Sequence, residues 1–151
     1  MMVGRTANKH FAAGIDDYAE RIGHYMPFTL TVIPELKNTK KLSEEQQKQA
    51  EGELILKLLQ PQDTVVLLDE HGQELRSVEL ARWLERKQAT ARRLVFVIGG
   101  PYGFSPEVYA RANEQLSLSR LTFSHQMVRL VFTEQIYRAC TIITGEPYHH
   151  E

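Results

Sequence analysis

The chain has 151 residues, of which 42% are hydrophobic and 25% are charged. This length and composition suit one compact domain spanning residues 1–151 and argue against a disordered chain. The formal net charge of −1 argues against a strongly basic coat for nucleic acid, but it leaves room for a local RNA-binding patch. Cys140 is the only cysteine and no apolar run reaches membrane-spanning length. We therefore expect a cytoplasmic protein without an intrachain disulfide or a membrane contact.

The first third of the chain predicts a strand, a helix and a second strand. Residues 2–4 have the pattern of a strand end followed by a turn. Because a core strand usually has about five residues, we expect this strand to be clipped and its true start to lie upstream. Residues 8–25 predict an amphipathic helix that Pro27 ends. Residues 28–33 alternate as a half-buried strand does.

The middle of the chain predicts two helices around a buried strand. Ser43 opens a capping-box pattern, which predicts a helix to about Leu59. Residues 64–68 are a continuous run of β-type apolar residues, as in a central parallel strand covered on both faces. We place Asp69 at the carboxyl end of this strand, followed by a turn at residues 71–72. Ser77 then predicts the cap of a helix that runs to about Lys87.

The last part of the chain predicts one more buried strand, two short extended pieces and a long helix. Residues 93–98 are the strand, and Ser105 with Pro106 predicts the start of a short helix. Residues 116–119 and 121–123 predict the extended pieces, and residues 125–143 predict the final helix. Alternating strands and helices indicate an α/β fold with a mostly parallel sheet flanked by helices. Ligands of such folds bind beyond the carboxyl ends of the strands.

A glycine-rich loop follows the strand at residues 93–98. Gly99, Gly100 and Gly103 surround a Pro-Tyr pair, and the missing side chains would let backbone approach a ligand. The spacing matches neither the Gly-x-Gly-x-x-Gly fingerprint nor the Walker loop. The pattern alone leaves open whether this segment is a ligand loop or a tight structural turn.

Two further segments carry polar side chains that suit a site. Residues 118–129 place serines, a threonine, a histidine and two arginines between apolar anchors, and they fit either a binding segment or the solvated start of a helix. Tyr148 and His149 could stack on and hydrogen-bond an unstacked base, but chain ends are often frayed. His150 adds a second imidazole, yet no third ligand stands at metal spacing, so we expect no metal site. Cys140 lies on an apolar helix face, so we expect it to be a small residue of the core.

Taken together and in order, four segments resemble signatures of the RlmH family of the SPOUT superfamily. They are residues 95–105 (VFVIGGPYGFS), 116–129 (LSLSRLTFSHQMVR), 134–139 (EQIYRA) and 147–149 (PYH). The likeness extends over nearly the whole chain. Two departures stand out: the family's first strand is longer at its start, and the family commonly has Arg or Lys where this chain has His150.

The resemblance implies a SPOUT fold, with a mostly parallel sheet, flanking helices and a C-terminal trefoil knot. It also implies a homodimer and an S-adenosyl-L-methionine pocket formed by the knotted loops. Carried over residue by residue, it assigns eight positions to this cofactor. They are Leu68, Gly99, Leu118, Ser119, Arg120, Leu121, Thr122 and Phe123.

The activity that the resemblance implies is methylation of N3 of a pseudouridine in 23S rRNA, on assembled ribosomes and without a metal. N3 is a weak nucleophile while it carries its proton, so the enzyme must align it with the methyl group and help to remove the proton. We hypothesise that His149 or His125 assists this proton loss. Arg129 would bind phosphate or a developing oxyanion, and Tyr148 would stack on the base.

Three alternatives remain at this stage. The chain could be a catalytically silent RNA-binding or ribosome-assembly factor on the same fold, which cofactor binding would distinguish. It could be an α/β enzyme that uses another nucleotide, although the fingerprints for one are missing. It could also be a purely structural dimerising domain, which would dimerise without cofactor affinity.

Overall fold

The parallel sheet at the centre of the fold has five strands and helices on both faces. In the computed structural model, which describes residues 1–151, the strand order is β2-β1-β4-β3-β5 and every pairing is parallel. The elements in chain order are β1 (Met2–Val3), α1 (Lys9–Gly23), β2 (Val32–Ile33), a 3₁₀ turn (Thr39–Lys41), α2 (Glu44–Leu58), β3 (Asp63–Glu74), α3 (Ser77–Thr90), β4 (Arg93–Ile98), α4 (Pro106–Arg111), β5 (Glu114–Ser117) and α5 (Met127–Thr144). This architecture confirms the predicted α/β class.

The centre of the sheet is the pair formed by β3 and β4. Their register runs without interruption from Asp63 opposite Arg93 to Leu68 opposite Ile98. Consecutive residues of β3 face opposite sides of the sheet, and Val65, Val66 and Leu67 are all fully buried. Both faces are therefore covered by helices, which explains the continuous apolar run in the sequence.

The core consists of one apolar layer on each face of the sheet. On one face, Val66 packs with residues of α1, α3 and α5, among them Ile22, Leu84 and Ile136. On the other face, Val65 packs in the cluster that includes side chains of α2 and α4. Cys140 is buried in the first layer, as its place on an apolar helix face predicts. None of the helices is both long and apolar enough to cross a membrane.

The helix starts follow the capping residues in the sequence. Asn8 Oδ1 accepts hydrogen bonds from the backbone N–H groups of the first turn of α1. Ser43 forms the expected reciprocal capping box at α2, and Ser105 caps α4. The predicted cap at Ser77 is wrong by one position, because the preceding residue Arg76 is the N-cap and its backbone N–H donates to Glu79 Oε2 at 2.7 Å.

Four predicted strands differ from the structure in length or position, and the one predicted at residues 116–119 lies two residues earlier, as β5. β3 does not end at Asp69 but continues to Glu74, because β5 pairs with it again after an irregularity between Leu68 and Gln73. The predicted strand at residues 28–33 is reduced to β2, since β1 pairs with it only at two positions. Residues 121–123 form a loop and not an extended strand.

Candidate active site

A cleft of about 640 Å³ opens at the carboxyl ends of β3 and β4. Leu68 and Ile98 form its floor, the glycine loop forms one wall, and the segment from β5 to the start of α5 forms another. This is the edge of a parallel sheet where strand ends and loops leave space for a ligand. The volume is in the range of roughly 300–1,000 Å³ that is usual for small-molecule sites.

The glycine loop is a tight turn whose backbone lines the cleft. Gly100 and Gly103 form an antiparallel bridge across Pro101 and Tyr102, and Gly103 N donates to Gly100 O at 3.2 Å. Gly103 has φ +80°, which disfavours any residue with a side chain. A Cβ at Gly99 would lie 3.1 Å from Phe104 Cε1. The segment is thus a structural turn, and it also exposes backbone to the cleft.

The segment between β5 and α5 forms the opposite wall. Ser117 Oγ donates to Ser119 O at 3.0 Å, and Leu121 N donates to Ser119 Oγ at 2.9 Å, so short local bonds hold the loop. Leu121 is 75% exposed. Arg120 points away from the cleft, because its Nε donates to Glu74 Oε1 at 3.0 Å. Seven of the eight predicted cofactor residues line the cleft, and Arg120 does not.

His125 is the one predicted catalytic residue that lines the cleft. It stands just before α5, whose first turn is held by Ser124 through bonds from Met127 N and Val128 N. Gln126 ties the same region to the loop after β1, because its Oε1 accepts from Ala7 N at 2.7 Å. The hydrogen bonds of its two neighbours, Ser124 and Gln126, therefore hold the backbone at His125.

Arg129 is placed differently from the prediction. Its side chain is completely buried, and the guanidinium donates to Val3 O at 2.6 Å, to Gly4 O at 2.8 Å and to Thr6 Oγ1 at 3.0 Å. Burial lowers the pKa of the guanidinium. The expected contact with RNA phosphate or a reacting base does not fit this placement. His125 also precedes the helix, because α5 begins at Met127 and not at residue 125 as predicted.

Tyr148 and His149 lie in a polar cluster on α5, apart from the cleft of their own chain. Tyr148 OH donates to Glu134 Oε1 at 3.0 Å, and Arg138 Nη2 donates to the same oxygen at 2.5 Å. Arg138 Nη1 lies 3.2 Å from His149 Nδ1, and its guanidinium stacks over the Tyr148 ring. Burial, followed by hydrogen bonds to Tyr18 and Glu134, raises the pKa of Tyr148. The tail is packed onto the fold, and His149 Nε2 is left buried without a hydrogen-bond partner.

The sequence reasoning missed two groups around these sites. Glu134 and Arg138, which orient the tail, could have been found as an i, i+4 ion pair on a predicted helix. At the cleft rim, Asp69 Oδ2 accepts from Tyr109 OH, and Asp69 Oδ1 accepts from His71 N at 2.8 Å. Burial acts to raise the pKa of Asp69, but these bonds outweigh it and hold the pKa below its ordinary value. No pattern connects Tyr109 to Asp69, because they are forty residues apart.

No group of three or more His, Cys, Asp and Glu side chains is arranged to hold a metal ion. What the cleft offers is exposed backbone, apolar side chains, two imidazoles and two carboxylates. Such a set can bind a nucleoside-like molecule through backbone groups and can hold a proton acceptor beside it.

Comparisons with known proteins agree with this arrangement. A family model described as "Predicted SPOUT methyltransferase" matches residues 1–149. A protein of Phocaeicola vulgatus is 63% identical over 152 aligned positions, which cover 100% of this chain and 97% of the relative. Relatives from Parabacteroides distasonis and Porphyromonas gingivalis are 57% and 54% identical with the same coverage. All three relatives are named ribosomal RNA large subunit methyltransferase H.

The family resemblance of the four sequence segments is thereby confirmed. The identity is high along the full length, and the α/β sheet agrees with the family's fold. The chain belongs to the SPOUT methyltransferases and, among them, to the ribosomal RNA large subunit methyltransferase H family.

Proposed function

We propose that this methyltransferase transfers the methyl group of S-adenosyl-L-methionine to N3 of a pseudouridine in 23S rRNA of the assembled ribosome. The observation that carries the proposal is the cleft at the ends of β3 and β4, which seven of the eight expected cofactor residues line. The names of the relatives support the large-subunit RNA as the substrate. A ribosomal substrate also assigns the activity to the cytoplasm.

The residues of the cleft fit this cofactor. The glycine loop and the segment before α5 present backbone N–H and C=O groups, which can bind a purine and a ribose, and apolar side chains can cover the adenine. Leu68 and Gly99 both line the cleft at the strand ends, and a Cβ on Gly99 would press against the ring of Phe104, which lines the cleft as well. When bound, the cofactor supplies an electrophilic methyl group on a sulfonium.

Within the chain that forms the cleft, His125 is our candidate for the group that accepts the proton of N3. Its imidazole lines the cleft, and an imidazole nitrogen that carries no proton can accept one, as a general base for this step must. The fixed loop around it would keep the acceptor aligned with the reacting nitrogen.

We further propose that the active enzyme is a homodimer in which the partner's Tyr148 and the partner's His149 complete the cleft. Within one chain, the tail cluster does not line the cleft, yet Glu134 and Arg138 hold it in a defined position. His149 Nε2 is buried without a hydrogen-bond partner, which is costly, and Glu151 Oε1 lies 3.9 Å from it, so the imidazole is held but not satisfied within one chain. In such a dimer, Tyr148 would stack on the flipped base while His149 assists proton loss.

The direct test is methyl transfer from labelled cofactor to ribosomes that lack the modification. We expect label in the large-subunit RNA, mapped to N3 of one pseudouridine, and much less label with free RNA. Incorporation into another nucleotide, or none with a cofactor-bound dimer, would refute the proposal. If His125→Ala and His149→Ala both kept the full single-turnover rate across pH, the proposed base assignment would be wrong.

A further inference from the structure

Glu51 is a buried carboxylate that the proposed mechanism does not use. It lies on α2 and is only 5% exposed. Its Oε1 accepts a hydrogen bond from Gln47 Nε2 at 3.2 Å, whereas Oε2 is buried and has no partner. An unpaired buried carboxylate lowers stability unless something nearby compensates its charge. One oxygen of the Glu51 carboxylate is therefore left without a compensating hydrogen bond.

The carboxylate packs directly against the glycine loop of the cleft. A Cβ added to Gly100 would lie 2.8 Å from Glu51 Oε2 and 3.1 Å from Oε1. The next residue on α2, Gly52, approaches Ser105 so closely that a Cβ there would lie 2.4 Å from its Oγ. Helix packing thus fixes Glu51 behind Gly100, while Gly100 itself lines the cleft.

The charges around the cleft are unbalanced towards negative. Neither lysine nor arginine lines it, whereas Asp69 and Glu70 do, together with the titratable groups of His71 and His125 and of two tyrosines. Asp69 is already bonded to Tyr109 and His71. Burial raises the pKa of Glu51, and the electrostatic interaction with His125 partly offsets this. The charge of Glu51 therefore reaches a side chain that lines the cleft.

We propose that Glu51 is a specificity-determining residue that makes the cleft favour a positively charged ligand. This inference rests on the proposed function. S-adenosylmethionine carries a sulfonium, whereas the product S-adenosylhomocysteine has a neutral thioether at the same atom. A buried anion close to the cleft stabilises the first more than the second, since the burial of Glu51 leaves little water around its carboxylate to screen the charge. The preference would help the enzyme to exchange product for fresh cofactor.

The test is calorimetric titration of the full chain with S-adenosylmethionine and, separately, with S-adenosylhomocysteine. The quantity compared is the ratio of the two dissociation constants. We expect Glu51→Gln to reduce the preference for S-adenosylmethionine by about threefold to tenfold, and Glu51→Asp to retain part of it. Glu53→Gln removes the same charge from an exposed position on the same helix and is expected to leave the ratio unchanged.

Each other outcome counts against a different claim. An unchanged ratio in Glu51→Gln, or an equal change in Glu53→Gln, would overturn the role of the Glu51 charge. An equal loss of affinity for both ligands would assign Glu51 to loop geometry and would also overturn it. If Glu51→Gln does not fold, the ratio of dissociation constants is measured in Glu51→Asp, which keeps the charge. Loss of all preference for S-adenosylmethionine in that variant would overturn the role of the Glu51 charge. Failure of the wild-type dimer to bind either ligand would instead refute the proposed function.

Discussion

Arg129 shows how a residue that suits catalysis can serve the fold. Its guanidinium donates to the carbonyl oxygens of Val3 and Gly4, at the point where β1 ends. No carboxylate forms an ion pair with it, so backbone dipoles compensate the charge together with a weaker electrostatic interaction with Glu35. A sequence reading favours phosphate binding for an arginine beside a polar segment, and only tertiary packing shows that this one is buried.

Arg129→Met should therefore destabilise the protein, because it leaves buried carbonyl oxygens without donors. We expect the free energy of unfolding to fall by about 2–4 kcal/mol, measured by urea denaturation. Arg82→Met, at an exposed position on α3, should change it by less than about 0.5 kcal/mol. Equal stability of the two variants, with a specific loss of RNA affinity in Arg129→Met, would restore the original phosphate-binding prediction.

Glu51 predicts a pH dependence of stability. Burial raises its pKa in the folded protein, so the folded state binds a proton more tightly than the unfolded state does. This contribution to stability is present at acidic pH and is lost as the pH rises through the raised pKa. As the pH rises from acidic to mildly alkaline, the free energy of unfolding of Glu51→Gln should therefore increase relative to that of wild type. Denaturation series at several pH values measure this difference. A difference in stability between Glu51→Gln and wild type that stays constant with pH would contradict this prediction.

At the scale of elements, β5 is held by a close approach that needs glycine. A Cβ at Gly72 would lie 2.6 Å from Leu116 N and 2.7 Å from Gln115 C. These are backbone atoms of the neighbouring strand and cannot move without displacing β5. Because β5 leads directly into the loop that lines the cleft, the packing of Gly72 also positions that wall.

Gly72→Ala should therefore lower the free energy of unfolding by about 1–3 kcal/mol and weaken cofactor binding. Denaturation and calorimetry of the same preparations would measure both effects. Gly23→Ala is the matched control, since a Cβ there meets nothing within 4 Å and alanine favours a helix. A Gly72→Ala protein as stable as the Gly23→Ala protein would contradict this reading of β5.

The elements also show which parts of the fold the sequence predicts. Local signals predict the helix starts at Asn8, Ser43 and Ser105, and an uninterrupted apolar run predicts the bounds of β4. The length of β3 depends on its pairing with β5, and the shortness of β2 depends on β1. Such pairings join distant segments, so a local pattern cannot reveal them. Contiguous segments of the chain line the cleft, so the sequence could predict most of that lining. The Tyr109–Asp69 contact joins residues forty positions apart, so the sequence could not predict it.

At the scale of the whole molecule, the proposed site is divided between two places on each chain. His125 lines the cleft, whereas Tyr148 and His149 lie with Glu134 and Arg138 on α5. A homodimer can join one cleft to the partner's tail, because a two-fold interface repeats each contact. The trefoil knot remains a prediction from the family resemblance, since physical rules alone disfavour knotted chains.

Mixing two inactive variants tests this division. Gly99→Trp should block the cleft and His149→Ala should disable the tail, so each homodimer is expected to be inactive. After subunit exchange, a mixed dimer contains one intact cleft beside one intact tail, and random pairing should restore about one quarter of wild-type activity. The measurement is methyl transfer to ribosomes before and after exchange. No recovery, with mixed dimers verified by mass, would contradict a shared site.

Calorimetric titration of the purified protein with S-adenosylmethionine tests whether the cleft at the ends of β3 and β4 binds the cofactor. We expect saturable binding to wild type and loss of binding in Gly99→Trp, because an indole at the end of β4 would displace Phe104 and obstruct the cleft that both residues line. Circular dichroism would confirm that the variant is folded. Absence of binding by a folded wild-type dimer, or undiminished binding by Gly99→Trp, would contradict the assignment of this cleft to the cofactor.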